Sequence, residues 1–147
     1  MSDTLASYRV IYGDTDQMGV VYYANYLRWF EMGRTEFLRQ MAVPYTSIEN
    51  RGCHFPVTEV SCRYFRPARY DDEITIETVL NSLGRASLTF NYRLYRRVNQ
   101  SLLAAGWTKH ACVDQEGQVR RLPPALETIL KPNVTRITET VASKSGL

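Results

Sequence analysis

A chain of 147 residues, 44% of them hydrophobic, is long enough to bury the core of one globular domain. Its 18 basic and 15 acidic residues leave a formal charge of +3 without any dense run of lysine or arginine, which argues against a dedicated nucleic-acid binder and points to a small partner if that partner is anionic. No stretch reaches the roughly 18 apolar residues of a membrane span, the start MSDTLASYRV lacks an apolar signal core, and Cys53, Cys62 and Cys112 form neither a metal-ligand pattern nor a disulfide framework, so a cytoplasmic protein with free thiols is expected.

In chain order, Ser7 to Tyr12 alternates Tyr8, Val10 and Tyr12 against Ser7, Arg9 and Ile11 and reads as a first strand. From about Tyr23 to Met41 the period changes. Tyr26, Phe30, Gly33, Phe37 and Met41 recur at three- and four-residue spacing, with Arg28, Glu31, Thr35 and Arg39 opposite, which predicts a long amphipathic helix. A glycine inside it costs up to ~1 kcal/mol relative to alanine, so a close approach by another backbone is the expected reason for Gly33. Pro44 and Arg51-Gly52 end the helical stretch, with a short turn between them.

Beyond Phe55 the period is two. Val60, Cys62 and Tyr64 alternate with polar neighbours, then Ile74, Ile76, Thr78 and Leu80, then Ala86, Leu88, Phe90, Tyr92 and Leu94; Leu102 to Val113 is a further strand. Short links rich in turn formers separate these runs and favour consecutive antiparallel hairpins with one covered face. ALETIL after Pro123-Pro124 is a short helix. Residues 1–135 form a single domain and 136–147 a polar tail. The sum is an α+β chain in which about five to six antiparallel strands wrap one long helix, the hotdog arrangement.

One stretch stands apart. DTDQMGVVYYANY, residues 14 to 26, sets two carboxylates ahead of a glycine and a run of valines and tyrosines where the helix begins. Aspartates between a strand and a helix commonly serve as turn formers and caps, and this is the favoured reading of Asp14. The first N–H groups of a helix lack partners inside it and attract negative charge, which also makes this place suitable for holding an oxyanion.

The run Tyr12-Gly13-Asp14-Thr15-Asp16-Gln17-Met18-Gly19-Val20-Val21-Tyr22-Tyr23-Ala24-Asn25-Tyr26, with Arg34-Thr35-Glu36 and, more loosely, Phe65 to Glu73, resembles the 4-hydroxybenzoyl-CoA thioesterase-like family of hotdog acyl-CoA thioesterases, including the branch whose gene accompanies the bacterial Tol-Pal system. The resemblance implies hydrolysis of an acyl-CoA thioester, or of an acyl carrier protein thioester, without a cofactor. It places the nucleophile or general base on Asp16 and the oxyanion donor on the backbone N–H of Tyr23. Tyr22 and Tyr26 would line the acyl pocket, unless they are simply half-buried core, and Asn25 would orient the loop, cap the helix or sit as a surface amide. Arg85 and Ser87 match the place where relatives bind the nucleotide end of coenzyme A, although a solvated strand face explains any one arginine. The resemblance also implies a homo-oligomer, either a dimer or a tetramer of two dimers, joined at sheet edges.

His54-Phe55-Pro56 looks like the histidine segment of hotdog hydroxyacyl dehydratases, but the strand-like Val57-Thr58-Glu59 that follows departs from them. His54 is then a strand-end residue near the pocket and His110 a sheet residue, and neither has partners at metal-ligand spacing, so no metal is expected. A dehydratase and a non-catalytic acyl-thioester-binding protein are the two rival readings.

Overall fold

The period-two segments assemble into one five-stranded sheet with every pairing antiparallel, and the period-3.6 segment forms a helix whose apolar stripe is buried. A computed structural model describes residues 4–43 and 52–136. In chain order it contains β1 (Thr4–Arg9), a 3-10 turn at Tyr12–Asp14, α1 (Asn25–Gln40), β2 (Val57–Tyr64), β3 (Glu73–Leu83), β4 (Ser87–Arg96), β5 (Ser101–Ala111), α2 (Pro124–Leu130) and a closing 3-10 turn at Lys131–Asn133. The turn expected between Pro44 and Arg51, and the tail beyond Arg136, lie outside the described residues.

Helix α1 buries Tyr26, Trp29, Phe30, Gly33, Phe37 and Leu38, so the stripe is wider than the simple spacing suggested, and Met41 packs only at its margin. The helix stops where Ala42 takes a left-handed conformation (φ 60°) and the Val43 N–H turns back to the Leu38 carbonyl, 2.8 Å away. Gly33 does meet a close neighbour, but the neighbour is a pair of side chains on β3, not a backbone. A Cβ on Gly33 would lie 2.2 Å from Thr78 Oγ1 and 2.8 Å from Ile76 Cγ2.

The first strand runs three residues earlier than expected. Backbone bonds to the 71–72 segment continue through Val10, and the chain then turns, with the Ile11 N–H taken by the Asp14 carboxylate at 3.0 Å. Strands β3 and β4 bury the expected side chains, with Ile74, Ile76, Thr78 and Leu80 facing the core beside Leu88, Phe90, Tyr92 and Leu94. The expectation of consecutive hairpins holds for β3–β4–β5 and fails for β2. The sheet order is β1-β3-β4-β5-β2, so β2 pairs with β5 at the far edge, and the chain must cross the sheet to begin β3. The crossing segment, Phe65 to Asp72, passes beneath the start of α1. There the Ala68 N–H donates to Tyr26 Oη (2.9 Å) and the Val21 N–H donates to the Ala68 carbonyl (2.9 Å). As an edge strand β2 leaves Val57, Val60 and Tyr64 exposed, where a fully covered strand would bury its apolar face.

A polar chain threads the apolar core. Arg34 Nη1 donates to Tyr92 Oη (3.4 Å), and the contacts continue from Tyr92 Oη to Thr108 Oγ1 (2.6 Å), from Thr108 Oγ1 to His110 Nε2 (2.8 Å) and from His110 Nδ1 to the Phe55 carbonyl (2.9 Å). The Phe55 carbonyl can only accept, so His110 Nδ1 donates in that link. In the neutral ring Nε2 then accepts the Thr108 hydroxyl, and Thr108 accepts the Tyr92 hydroxyl. Burial, first of all, pushes the His110 imidazole down to about 4; the nearby Arg34 charge acts the same way, and the Phe55 carbonyl opposes it.

Two outcomes follow from this packing. Gly33→Ala is expected to lower stability by about 1–3 kcal/mol in urea unfolding, because the overpacking against Thr78 and Ile76 exceeds the helix-propensity gain. The folded pKa of His110 lies below its ordinary value, so its contribution to stability is complete above pH 6.5 and is lost as pH falls from there through about 4, the range in which the unfolded chain binds the extra proton. Ring-proton NMR should show His110 neutral down to about pH 4, and titration near 6.5 would refute the chain's polarity.

Candidate active site

The loop between β1 and α1 is organised by a buried side chain. Asp14 is 3% exposed, and its Oδ2 accepts the Tyr8 hydroxyl (2.7 Å) as well as the Ile11 N–H. Its carbonyl accepts the Tyr22 N–H and the Asn25 Nδ2–H, both at 2.9 Å. Asp14 thus has the structural role its position suggested, and it joins the end of β1, the loop and the first residue of α1. The tyrosine responds. Burial, followed by the hydrogen bond to Asp14, pushes the Tyr8 phenol up.

Asp16 sits at the tip of a small hairpin closed by the Thr15–Val21 bridge. Its N–H donates to the Val20 carbonyl (2.9 Å), and its own carbonyl accepts the Gly19 N–H (3.0 Å). Gly19 has φ +79°, a left-handed conformation that favours glycine at the close of such a turn. The half-buried Asp16 side chain accepts the Met18 N–H at Oδ1 (2.9 Å), so the turn holds one carboxylate oxygen while the second has no partner among the described residues. Its charge also reaches Tyr22, whose phenol is pushed up first by a hydrogen bond with Tyr23 and lastly by Asp16.

Helix α1 begins without help. Ala24 at the N-cap offers no side-chain acceptor and the first turn carries no acid. The Asn25, Tyr26 and Leu27 N–H groups find the Tyr22, Tyr23 and Ala24 carbonyls at 2.9, 3.3 and 3.2 Å. The N–H groups of Tyr23 and Ala24 have no acceptor among the described residues.

Aromatic side chains wall this helix start. The Tyr22 and Tyr23 rings lie 4.8 Å apart, Tyr64 meets Tyr26 edge-on at 4.9 Å, and the Tyr64 hydroxyl donates to the Tyr23 carbonyl at 2.9 Å. Tyr26 is buried, with Tyr22 and Tyr23 exposed. Burial pushes the Tyr26 and Tyr64 phenols up and raises the Cys62 thiol to about 11, which leaves Cys62 a poor nucleophile at neutral pH.

The remaining site candidates lie elsewhere in the chain. His54 exchanges two backbone hydrogen bonds with Val113 (2.9 Å each) just ahead of β2, and Arg85 and Ser87 stand at the start of β4. Strand register places them at the opposite end of the sheet from Asp16. Val57 pairs with His110 and Ser87 with Ala111 at one end, while Tyr64 pairs with Ala104 and Tyr8 with Ile74 at the other. Eight residues of β2 span about 25 Å, so one chain does not bring the two groups together. Sequence reasoning missed Arg120. The Leu122 N–H donates to the Arg85 carbonyl and the Arg120 N–H to the Cys112 carbonyl, both at 2.8 Å, which brings the 120–122 segment beside Arg85. Arg121 reaches Glu127 at 3.9 Å, whereas Arg85 and Arg120 have no acidic partner among the described residues. The adjacent Arg120-Arg121 pair after the Gly117 turn was the available signal.

An apolar recess against Arg34, Leu38, Phe55, Phe90, His110 and Leu126 is likewise distant from Asp16. Among the described residues no cluster of metal-ligating side chains occurs, and no helix is long and apolar enough to cross a membrane.

Comparison with known proteins agrees with this architecture. Residues 10–132 match the model of the thioesterase-like superfamily. The chain is 39% identical over 107 residues to the acyl-CoA thioesterase YbgC of Haemophilus influenzae, covering 72% of this chain and 77% of that protein. It is 33% identical over 107 residues to the putative acyl-CoA thioesterase YneP of Bacillus subtilis, covering 73% and 77%. The crystal structure of the hypothetical protein TT1821 from Thermus thermophilus superposes with a TM-score of 0.85 at 34% identity, covering 91% of this chain and 99% of that one. A match over most of the chain, joined to an antiparallel sheet with its helix and the Asp16 loop, places the protein in the thioesterase-like superfamily.

Proposed function

We propose that the protein hydrolyses acyl-CoA thioesters to a free acid and coenzyme A, with Asp16 and the start of α1 as the reaction centre. One observation carries the reading. A carboxylate held by its own turn keeps one oxygen unpartnered, in the same short loop that leads to two N–H groups without acceptors. Relatives named as acyl-CoA thioesterases support the substrate class.

The chemistry follows from those parts. The thioester oxygen accepts the Tyr23 N–H, so the charge that gathers on it as the carbonyl becomes tetrahedral meets a donor already in place. The open oxygen of Asp16 either takes a proton from an attacking water, so that collapse of the tetrahedral species gives the free acid and the proton passes to the departing coenzyme A thiolate, or attacks the carbonyl carbon itself, expelling the thiolate and leaving an acyl-aspartyl anhydride that water then hydrolyses to the free acid and Asp16. Tyr22 and Tyr26 flank the acyl group. Asn25 acts on the loop through the Asp14 carbonyl, which is where its amide is engaged.

The separated groups are explained by two copies. Joining β2 edges antiparallel about a two-fold axis lays the His54 and Arg85 end of one copy beside the Asp16 end of the other. It also covers Val57, Val60 and Tyr64. Arg85 with Ser87, helped by the unpaired Arg120, then suits the phosphates of coenzyme A, and a pairing of two such dimers gives a tetramer.

Two measurements test the proposal. A panel of short, long and aromatic acyl-CoAs with a thiol-detecting dye should show turnover that falls about 100-fold or more in Asp16→Ala and Asp16→Asn. Intact turnover in both variants would remove Asp16 from the mechanism, and an enoyl product without free thiol would mark a dehydratase instead. Light scattering should give a dimer or tetramer that Val60→Lys weakens. A stable wild-type monomer would contradict the shared site.

A further inference from the structure

Two cysteines that sequence spacing kept apart meet in the core. Cys53 and Cys112 are separated by 59 residues, yet their Sγ atoms lie 2.9 Å apart as free thiols. Both are almost fully buried, at 4% and 1% exposure. The surrounding backbone holds them there. The next residue on each segment, His54 and Val113, exchange both N–H to carbonyl bonds, while Cys112 donates its N–H to the Ala86 carbonyl (2.8 Å) and accepts the Arg120 N–H. Cys62 is elsewhere, on β2 beside Tyr64, with no second thiol next to it.

We propose that Cys53 and Cys112 are an oxidisable pair that closes to an intrachain disulfide, latching the segment ahead of β2 to the end of β5. A disulfide needs sulfurs at about 2.05 Å, so closure requires only a small shift of two side chains already facing each other. The oxidant is a peroxide. One thiol of the pair reacts with hydrogen peroxide to give a sulfenic acid and water, and the neighbouring thiol then attacks that sulfur and releases a second water. Two thiols together lose two electrons and two protons, and one peroxide is reduced to two waters. A molecule of that size reaches a buried pair through small local openings, whereas a bulky disulfide reagent does not.

Burial, first of all, and the Cys112 contact push the Cys53 thiol up to about 12, which slows its reaction as a thiolate. The latch closes a long loop, so its main effect is to restrict the unfolded chain. It also fixes the segment whose Phe55 carbonyl terminates the Arg34–His110 chain.

The test uses the full chain treated with hydrogen peroxide, quenched, denatured and alkylated. The expected protein is about 2 Da lighter before alkylation and takes up one alkyl group in place of three, with the Cys53 and Cys112 peptides linked. Its melting temperature should rise by about 5–10 °C and return on reduction. Cys62→Ala should behave as wild type does. Sulfinic acid without a cross-link, a link through Cys62 or between chains, or a Cys53–Cys112 link that leaves the melting temperature unchanged would each overturn the proposal.

Discussion

A buried carboxylate must find its hydrogen bonds in place, and the region around Asp14 is built to supply them. Its side chain takes one donor from β1, the Tyr8 hydroxyl, and one from the chain just beyond, the Ile11 N–H. Its carbonyl takes one donor from the loop and one from the first residue of α1. Four hydrogen bonds through a single residue therefore set where the strand stops, how the chain turns and where the helix starts. Asp16 is two residues away, and the direction of its open oxygen is inherited from that knot. The residue proposed for chemistry depends on a neighbour that does none.

The body of the domain relies on a second polar device inside an apolar core. Hydrophobic burial is not directional and would accept several placements of α1 over the sheet. The chain from Arg34 through Tyr92, Thr108 and His110 to the Phe55 carbonyl adds a directional contact between α1 and the sheet. Around it, Phe30 stacks on Tyr92 at 4.2 Å and Phe37 meets Phe90 edge-on, so aromatic geometry and polar geometry specify the same helix position. Gly33 adds a steric limit, bringing the helix against Thr78 and Ile76 where any side chain would push it away.

These constraints place functional candidates at two ends of the sheet. The Asp16 loop and the bare start of α1 occupy one end; His54, Arg85 and Arg120 occupy the other, with an edge strand running between them whose apolar side chains are uncovered. An uncovered edge of that kind is what the proposed two-fold pairing of copies would bury. The placement of the candidates is a consequence of strand order: had β2 paired with β3 as a hairpin, the sheet would end at a different edge and the two groups would not flank it.

Local periodicity by itself determined the long helix, the inward faces of β3 and β4, the antiparallel sheet and the singular loop at residues 14 to 26, because spacing decides which side of an element is apolar and which residues sit at its ends. It did not determine that β2 lies beside β5, since an alternating strand suits any neighbour and only the crossing of residues 65–72 beneath α1 selects one. Nor did it reveal Arg34 and His110 as members of one hydrogen-bonded path, Arg120 beside Arg85, or two thiols in contact across 59 residues. Those are long-range meetings, and they are decided where the strands are brought together in space, by burial and hydrogen-bond direction that no local pattern carries.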